Sequence, residues 1–258
     1  MCELFGQSSS EKIEMNEALK AFFSNAREHP DGWGLAFFYG GSVSLEKQPE
    51  CALDSAYLKQ RLRAKIEADN MIAHIRLATK GTMDYVNTHP FVMRDSSRRA
   101  WTFEHNGTIF DTEILNHYVK SQNGQTDSER ILMYLMDRMN QAISAAGRPL
   151  EPKERFDIIE AVTAEITPPN NKVNFLLYDG ELLYAHANFK DSLYIRHDET
   201  SVRISTRILD LGNWEPVPLN TLLAFENGKL KFQGTDHGHE YFFSEEQMHL
   251  LFLDYAAL

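Results

Sequence analysis

The chain has 258 residues, 43% of them apolar and 24% charged, which is long and balanced enough to bury a sizeable core and too apolar for a disordered chain. Asp and Glu outnumber Lys and Arg by 37 to 26, a net charge of −11, so a broad basic face for nucleic acid or an anionic membrane is not expected. The longest apolar runs, such as Leu35 to Tyr39, fall far short of the roughly 18 residues of a membrane span. No cationic segment followed by an apolar core opens the chain, and the two cysteines, Cys2 and Cys51, make no disulfide framework, so a reducing cytoplasm is the expected compartment.

In chain order, residues 2–8 predict a short strand, and Ile13, Ala18, Leu19, Phe22 and Phe23 fall at helical spacing within Glu11 to Arg27. Asp31-Gly32-Trp33-Gly34 is a turn feeding a strand from Leu35 to Tyr39, which Gly40-Gly41 joins to Ser42–Lys47 as a hairpin. A helix is expected over Asp54–Glu67, with Leu58, Leu62 and Ile66 on one stripe, and a strand over Asn70–Leu77. Thr79–Arg99 is polar and irregular. Trp101–His105 follows as a strand, Thr126–Ala142 as a helix that Thr126 or Asp127 could cap, and Glu154–Ile166 as a second amphipathic helix. From Lys172 the period changes to two. Val173–Tyr178 and Glu181–Ala187 flank an Asp179-Gly180 turn; Ser192–Arg196, Val202–Thr206, Thr221–Glu226 and Lys229–Phe232 continue the strands, with Asn227-Gly228 as a second hairpin turn. Ser244 with Gln247 is a capping-box pattern before a last helix, Met248–Tyr255. No repeat or linker divides the chain, and one layered α+β domain over residues 2–258 is the simplest organisation.

Removal of Met1 would leave Cys2 with a thiol and a free α-amine on one residue. An α-amine titrates at roughly 7.7–8.0 and a thiol near about 8.5, so one residue could supply both nucleophile and proton acceptor. Four further stretches carry more polar chemistry than their surroundings require: His74 to Gly81, Asn87 to Phe91, His105-Asn106-Gly107, and Thr126 to Glu129. Arg76 alternates with His74 in a strand-like run, and its fork of donors suits a carboxylate or a structural salt bridge. Asn106-Gly107 directly after a strand could turn the chain, or converge an amide and a backbone N–H on an oxyanion. Asp127 could hold a cation or cap its helix.

Taken together, Cys2 to Gly6, Asp31 to Gly34, His74-x-Arg76-x-Ala78-Thr79-x-Gly81, Asn87 to Pro90, His105-Asn106-Gly107 and Thr126 to Glu129 resemble the class II glutamine amidotransferases, whose glutaminase domain is an N-terminal-nucleophile hydrolase. The remainder, ending its strands in Ser205-Thr206-Arg207, is similar to short standalone bacterial members and to the γ-glutamyl-peptide-degrading subunit of fungi. The resemblance implies a four-layer αββα sandwich of two mainly antiparallel sheets. It makes Cys2 the nucleophile on the side-chain amide of glutamine or a γ-glutamyl compound, Asn106 and Gly107 the oxyanion hole, Arg76 with Thr79 the site for the substrate α-carboxylate, and Asp127 the site for its α-ammonium. His74, His89 and His105 remain scaffold residues, and no cofactor or metal is called for. Synthase-linked members usually carry Trp and His where this chain has Leu77 and Lys80, so the choice between glutamine and a γ-glutamyl compound stays open. Nothing after these motifs resembles a synthase domain, which implies plain hydrolysis, or a separate ammonia-accepting or peptidase partner protein. The competing expectations are a Cys-His-Asn thiol protease, a metal site at His237-Gly238-His239-Glu240, and a binding module that keeps the fold without the chemistry.

Overall fold

The computed structural model describes residues 2–39, 42–79, 81–110, 112–247 and 249. In chain order its elements are β1 (Glu3–Glu14), α1 (Asn16–Phe23), β2 (Trp33–Tyr39), β3 (Ser42–Gln48), α2 (Ala56–Arg61), β4 (Glu67–Ile75), β5 (Phe91–Arg94), β6 (Ala100–Thr108), α3 (Glu113–Asn116), α4 (Asp127–Ala146) and α5 (Pro152–Ile166), followed by seven strands up to residue 233. These are β7 (Lys172–Tyr178), β8 (Leu183–His186), β9 (Tyr194–His197), β10 (Ser201–Ser205), β11 (Trp214–Pro216), β12 (Leu223–Glu226) and β13 (Lys229–Gln233).

The strands form one sheet in the order β11-β9-β10-β1-β4-β2-β3 and a second in the order β13-β12-β8-β7-β6-β5, with every pair antiparallel. Because side chains alternate across a strand, each sheet has two apolar faces to cover. Phe5, Trp33 and Met71 pack under Leu19 and Phe22 of α1. Leu4, Ile72, Leu176 and Ile204 fill the space between the sheets, and Phe103 and Phe175 meet Leu132 of α4 and Phe156 of α5. The result is the expected αββα layering, with β1 interior to its sheet between β10 and β4.

Several boundaries differ from the sequence expectation, each for a local reason. The helix expected from Glu11 begins only at Asn16, since β1 bulges between Ser8 and Ile13 and resumes pairing with β4 at Ile13 and Glu14. The helix expected over Asp54–Glu67 is short. Ser55 Oγ caps it on Leu58 N–H, and beyond Leu62 the Asn16 amide takes over the backbone, donating to Leu62 and Ala64 carbonyls and accepting from Ile66 N–H. Strands β5 and β11, the first inside the stretch read as irregular, were not anticipated. Asn106 and Gly107 do not follow a strand: they lie within β6, opposite Asn174 and Val173. Ser244 Oγ accepts from Gln247 N–H, as the capping pattern suggests, and the helix expected at Met248–Tyr255 lies outside the described residues except for His249.

The Asp179-Gly180 and Asn227-Gly228 hairpin signals hold, and β2 pairs with β3 as expected, while Gly40 and Gly41 lie outside the described residues. Asn227 and Gly228 have φ of 52° and 78°, as a tight hairpin turn demands. Asp179 does more than turn the chain: its fully buried carboxylate accepts from Arg155 Nε at 2.7 Å, Tyr184 OH at 2.9 Å and the N–H groups of Glu181 and Leu182. This joins the β7–β8 turn to α5. Asp179→Ala leaves the Arg155 guanidinium buried with this partner gone, and is expected to cost about 3–5 kcal/mol, read as a lower urea midpoint with an unchanged denaturant slope.

Candidate active site

Cys2 immediately precedes β1, where Glu3 pairs with Ile75 and Leu4 with His74. The alternation that sends Leu4 between the sheets sends Cys2 the same way. Its Sγ donates to the Leu77 carbonyl at 3.5 Å. Burial pushes its thiol pKa up, against the pull of the positive charges of Arg76 and Lys172. Asn106, almost fully buried, is on the matching inner face of β6, and its Oδ1 accepts from Lys172 Nζ at 3.1 Å. At Gly107 a Cβ would overlap the Lys172 carbonyl oxygen and the His105 ring, so only glycine allows the two strands to approach here.

The Asp31–Gly34 turn grips the end of β4. Asp31 N–H donates to the Arg76 carbonyl, Arg76 N–H donates to Gly32, and the Asp31 carboxylate accepts from Ala78 N–H at 2.7 Å. Arg76, 2% exposed, donates through Nη1 to the Thr82 carbonyl at 3.0 Å and through Nη2 to that of Gly81 at 3.1 Å, so its guanidinium carries the loop that follows it. Thr79 Oγ1 lies 3.5 Å from Thr108 Oγ1, which brings the end of β4 to the end of β6. Asn87 fastens the same loop from its far side, donating to the Thr82 carbonyl and accepting from Gln125 N–H at 2.7 Å.

Four consecutive residues at the start of α4 each hold a different segment. Thr126 Oγ1 caps the helix on Glu129 N–H, and the buried Asp127 carboxylate accepts from Ile109 N–H at 2.7 Å and from Ser128 N–H at 2.9 Å. Ser128 Oγ meets His105 Nδ1 at 3.0 Å, and Glu129 accepts from the N–H groups of Asn123 and Gly124. Asp127 thus ties the segment leaving β6 to the start of α4.

The family model of the class II glutamine amidotransferases matches residues 1–201. The chain belongs to that family. An uncharacterized protein of Methanocaldococcus jannaschii is 32% identical over 259 residues, covering 89% of this chain and 70% of its own length. The crystal structure of a predicted glutamine amidotransferase from Pseudomonas aeruginosa superposes with a TM-score of 0.63 at 22% identity, over 89% of this chain and 99% of that one. Glutamine phosphoribosylpyrophosphate amidotransferase from B. subtilis superposes with a TM-score of 0.66 at 15% identity over 93% of this chain, which spans half the length of that protein. At these identities the two structures establish the shared fold.

Three histidines around the site, His74, His89 and His105, are unsuited to take a proton near neutral pH. His105 Nε2 donates to the Lys172 carbonyl at 3.2 Å, which leaves Nδ1 to accept from Ser128. His74 Nε2 donates to the His105 carbonyl at 3.4 Å, and its ring stacks on His89. Burial lowers the pKa of His74 to about 3, and lowers those of His89 and His105. Among the described residues, the hydrogen bond of the Cys2 thiol goes to a carbonyl and not to a ring nitrogen, which removes the geometry of a Cys-His-Asn protease. His237 stands apart, its Nε2 3.0 Å from that of His186. No helix among the described residues is long and apolar enough to cross a membrane.

The sequence pointed to every motif above but missed Lys172. Its one signal is a lysine opening a strand that is otherwise buried throughout.

The buried rings make folding stability depend on pH with a fixed sign. His74 and His186 have folded values of about 3, against about 6.5 in the unfolded chain. Above about 6.5 both states hold neutral rings and nothing is lost; between about 6.5 and 3 only the unfolded chain takes up protons, so stability falls as pH falls. These two rings together should lower the unfolding free energy by about 4 kcal/mol between pH 7 and pH 5, measured by urea titration. His186→Gln should flatten that dependence.

Proposed function

We propose that this chain hydrolyses the side-chain amide of glutamine or of a γ-glutamyl compound through Cys2. The sulfur attacks the amide carbon, its proton passing to the α-amine exposed by loss of Met1. The tetrahedral oxyanion is met by the Asn106 amide and Gly107 N–H. The α-amine gives its proton to the departing nitrogen, ammonia leaves, and water then cleaves the γ-glutamyl thioester to a free carboxylate, returning a proton to the sulfur. The observation that carries this reading is the common inner face of β1 and β6, which turns Cys2 and Asn106 into the same space between the sheets.

Arg76 would take the substrate α-carboxylate, with Thr79 beside it, and Asp127 the α-ammonium, so that two opposite charges from different segments orient the amide. A carboxylate arriving at Arg76 meets a guanidinium already holding the Gly81 and Thr82 carbonyls, and its binding would set the position of that loop. The ammonia would pass to a separate partner protein or to solvent, in a cytoplasm that keeps the thiol reduced. Residues 2–258 would act as one unit.

The test is ammonia release by the Met1-free protein against glutamine and a panel of γ-glutamyl amides and peptides. Activity above about 10²-fold over Cys2→Ala supports the reading; equal rates in the two proteins would reduce the chain to a binding module. Arg76→Ala and Asp127→Ala should each lower kcat/KM by about 30- to 150-fold, mostly through KM, because their charges pair with parts of the substrate that do not change in the reaction.

Retention of Met1 makes the Cys2 nitrogen a peptide amide with no basic lone pair. Loss of general-base assistance should then lower kcat by at least roughly 10²-fold, with the melting temperature unchanged. Mass spectrometry gives the processed fraction, and specific activity should rise in proportion to it across preparations.

A further inference from the structure

Lys172 opens β7 and is 2% exposed. Opposite β6 the register sets Asn174 against Asn106 and Lys172 against Thr108, and the alternation that turns Leu176 and Tyr178 between the sheets brings Lys172 to the face shared by Asn106 and Cys2. Its Nζ lies 3.1 Å from Asn106 Oδ1 and 5.0 Å from the centroid of the Phe189 ring. An ammonium has only donors. The amide atom it holds must therefore be the oxygen, and the amide nitrogen, the group an oxyanion hole needs, is turned to the other side. Without such a partner an asparagine can present either end.

We infer that Lys172 is a positioning residue of the oxyanion hole: it fixes the Asn106 amide by its oxygen so that the N–H₂ faces the substrate, and places a positive charge beside the sulfur and oxyanion of the reaction. The inference rests on the role proposed for Asn106. Of the titratable groups, Cys2 shares the inner face with Lys172; the charges of Glu3 on the opposite face of β1 and of His105 on the opposite face of β6 act on it through the sheet. Burial lowers the lysine to about 8, while the Cys2 and Glu3 charges hold it up. The ammonium in turn favours the Cys2 thiolate.

Lys172→Met and Lys172→Gln, each alone and combined with Asn106→Ala, test this. Lys172→Met should lower kcat for ammonia release roughly 10- to 100-fold, with KM changed by less than about 3-fold. In the Asn106→Ala background the same change should cost at least about 3-fold less than in the wild type, because the amide it positions is gone and only its charge at the sulfur remains. Lys172→Gln keeps a donor and should recover part of kcat, while the pH midpoint of Cys2 alkylation by iodoacetamide, followed by mass spectrometry at that residue, stays raised in both variants. An unchanged kcat, or an equal loss with and without Asn106, overturns the inference. Urea unfolding screens for folding, and if Lys172→Met does not fold, Lys172→Gln carries the same comparison. If the wild type releases no ammonia from any substrate, the functional reading fails by itself. The alkylation midpoint then decides separately for Lys172: a raised midpoint sustains its role at the sulfur, an unchanged one ends it.

Discussion

The register between β1 and β4 fixes what the N-terminal residue can reach. With Glu3 opposite Ile75 and Leu4 opposite His74, Cys2 points between the sheets; a slip of one residue would exchange it with Glu3 and turn the sulfur toward the helix layer. The chain terminus would normally fray, and several bonds prevent it. Leu4 N–H donates to Thr206 Oγ1 and Thr206 N–H donates back to the Leu4 carbonyl, each at 3.1 Å. The Glu3 carboxylate is held by Thr206 Oγ1, by Arg207 Nε at 2.9 Å and by His29 Nε2 at 3.4 Å. The Thr206-Arg207 pair at the end of β10 thus acts as a clasp on the first strand, from more than 200 residues away in sequence.

The second sheet supplies the other half of the site, and the loops that join it to the first are fastened by side-chain hydrogen bonds. The segment 77–90 has no sheet of its own to satisfy its backbone, so side chains do the work: Asp31 on Ala78, Arg76 on Gly81 and Thr82, Asn87 on Thr82 and Gln125. Lys47 Nζ closes the other end, donating to the Thr88 carbonyl at 2.6 Å and lying over the Tyr85 ring. Burial lowers its pKa to about 8. The first turn of α4 anchors the neighbouring loop through Glu129. Order in this region therefore depends on a handful of polar and charged side chains, among them the buried Arg76, Asn87 and Glu129.

The motifs were legible because each needs a particular residue type, whereas the limits of strands and helices depend on partners distant in sequence. The same dipeptide makes the point twice. Asn227-Gly228 is a true turn, with both φ values positive. Asn106-Gly107 reads identically and is extended, because β7 continues alongside it and Gly107 is needed for the close approach of the Lys172 carbonyl. The helical spacing from Ile13 was real but began too early, since Ser10 N–H and the residues beyond it are claimed by Thr200 and β4. Lys172 escaped notice because a lone lysine beside an apolar run reads as a strand end at the surface; only the pairing of β6 with β7 reveals that it is buried against Asn106.

Burial also constrains how a proton could leave the Cys2 sulfur. A general base must have a pKa near the working pH, and the histidines around the site fail this test for one reason: the layers that align them also desolvate them, so His74 titrates near about 3 and His89 and His105 are lowered as well. Asp127 is engaged with two backbone N–H groups and would not serve as an acceptor for the thiol. In the proposed mechanism the α-amine, whose intrinsic pKa suits the task, takes the proton. It also has a geometric advantage over an imidazole, since it travels with the nucleophile and needs no second element to hold it in reach. The same packing that raises the thiol then has a counterweight in Arg76 and Lys172, whose positive charges favour the thiolate from two sides. In the proposed mechanism base and nucleophile share one residue, so the burial of His74, His89 and His105 costs the reaction nothing, and the clasp on β1 is what holds that residue in place.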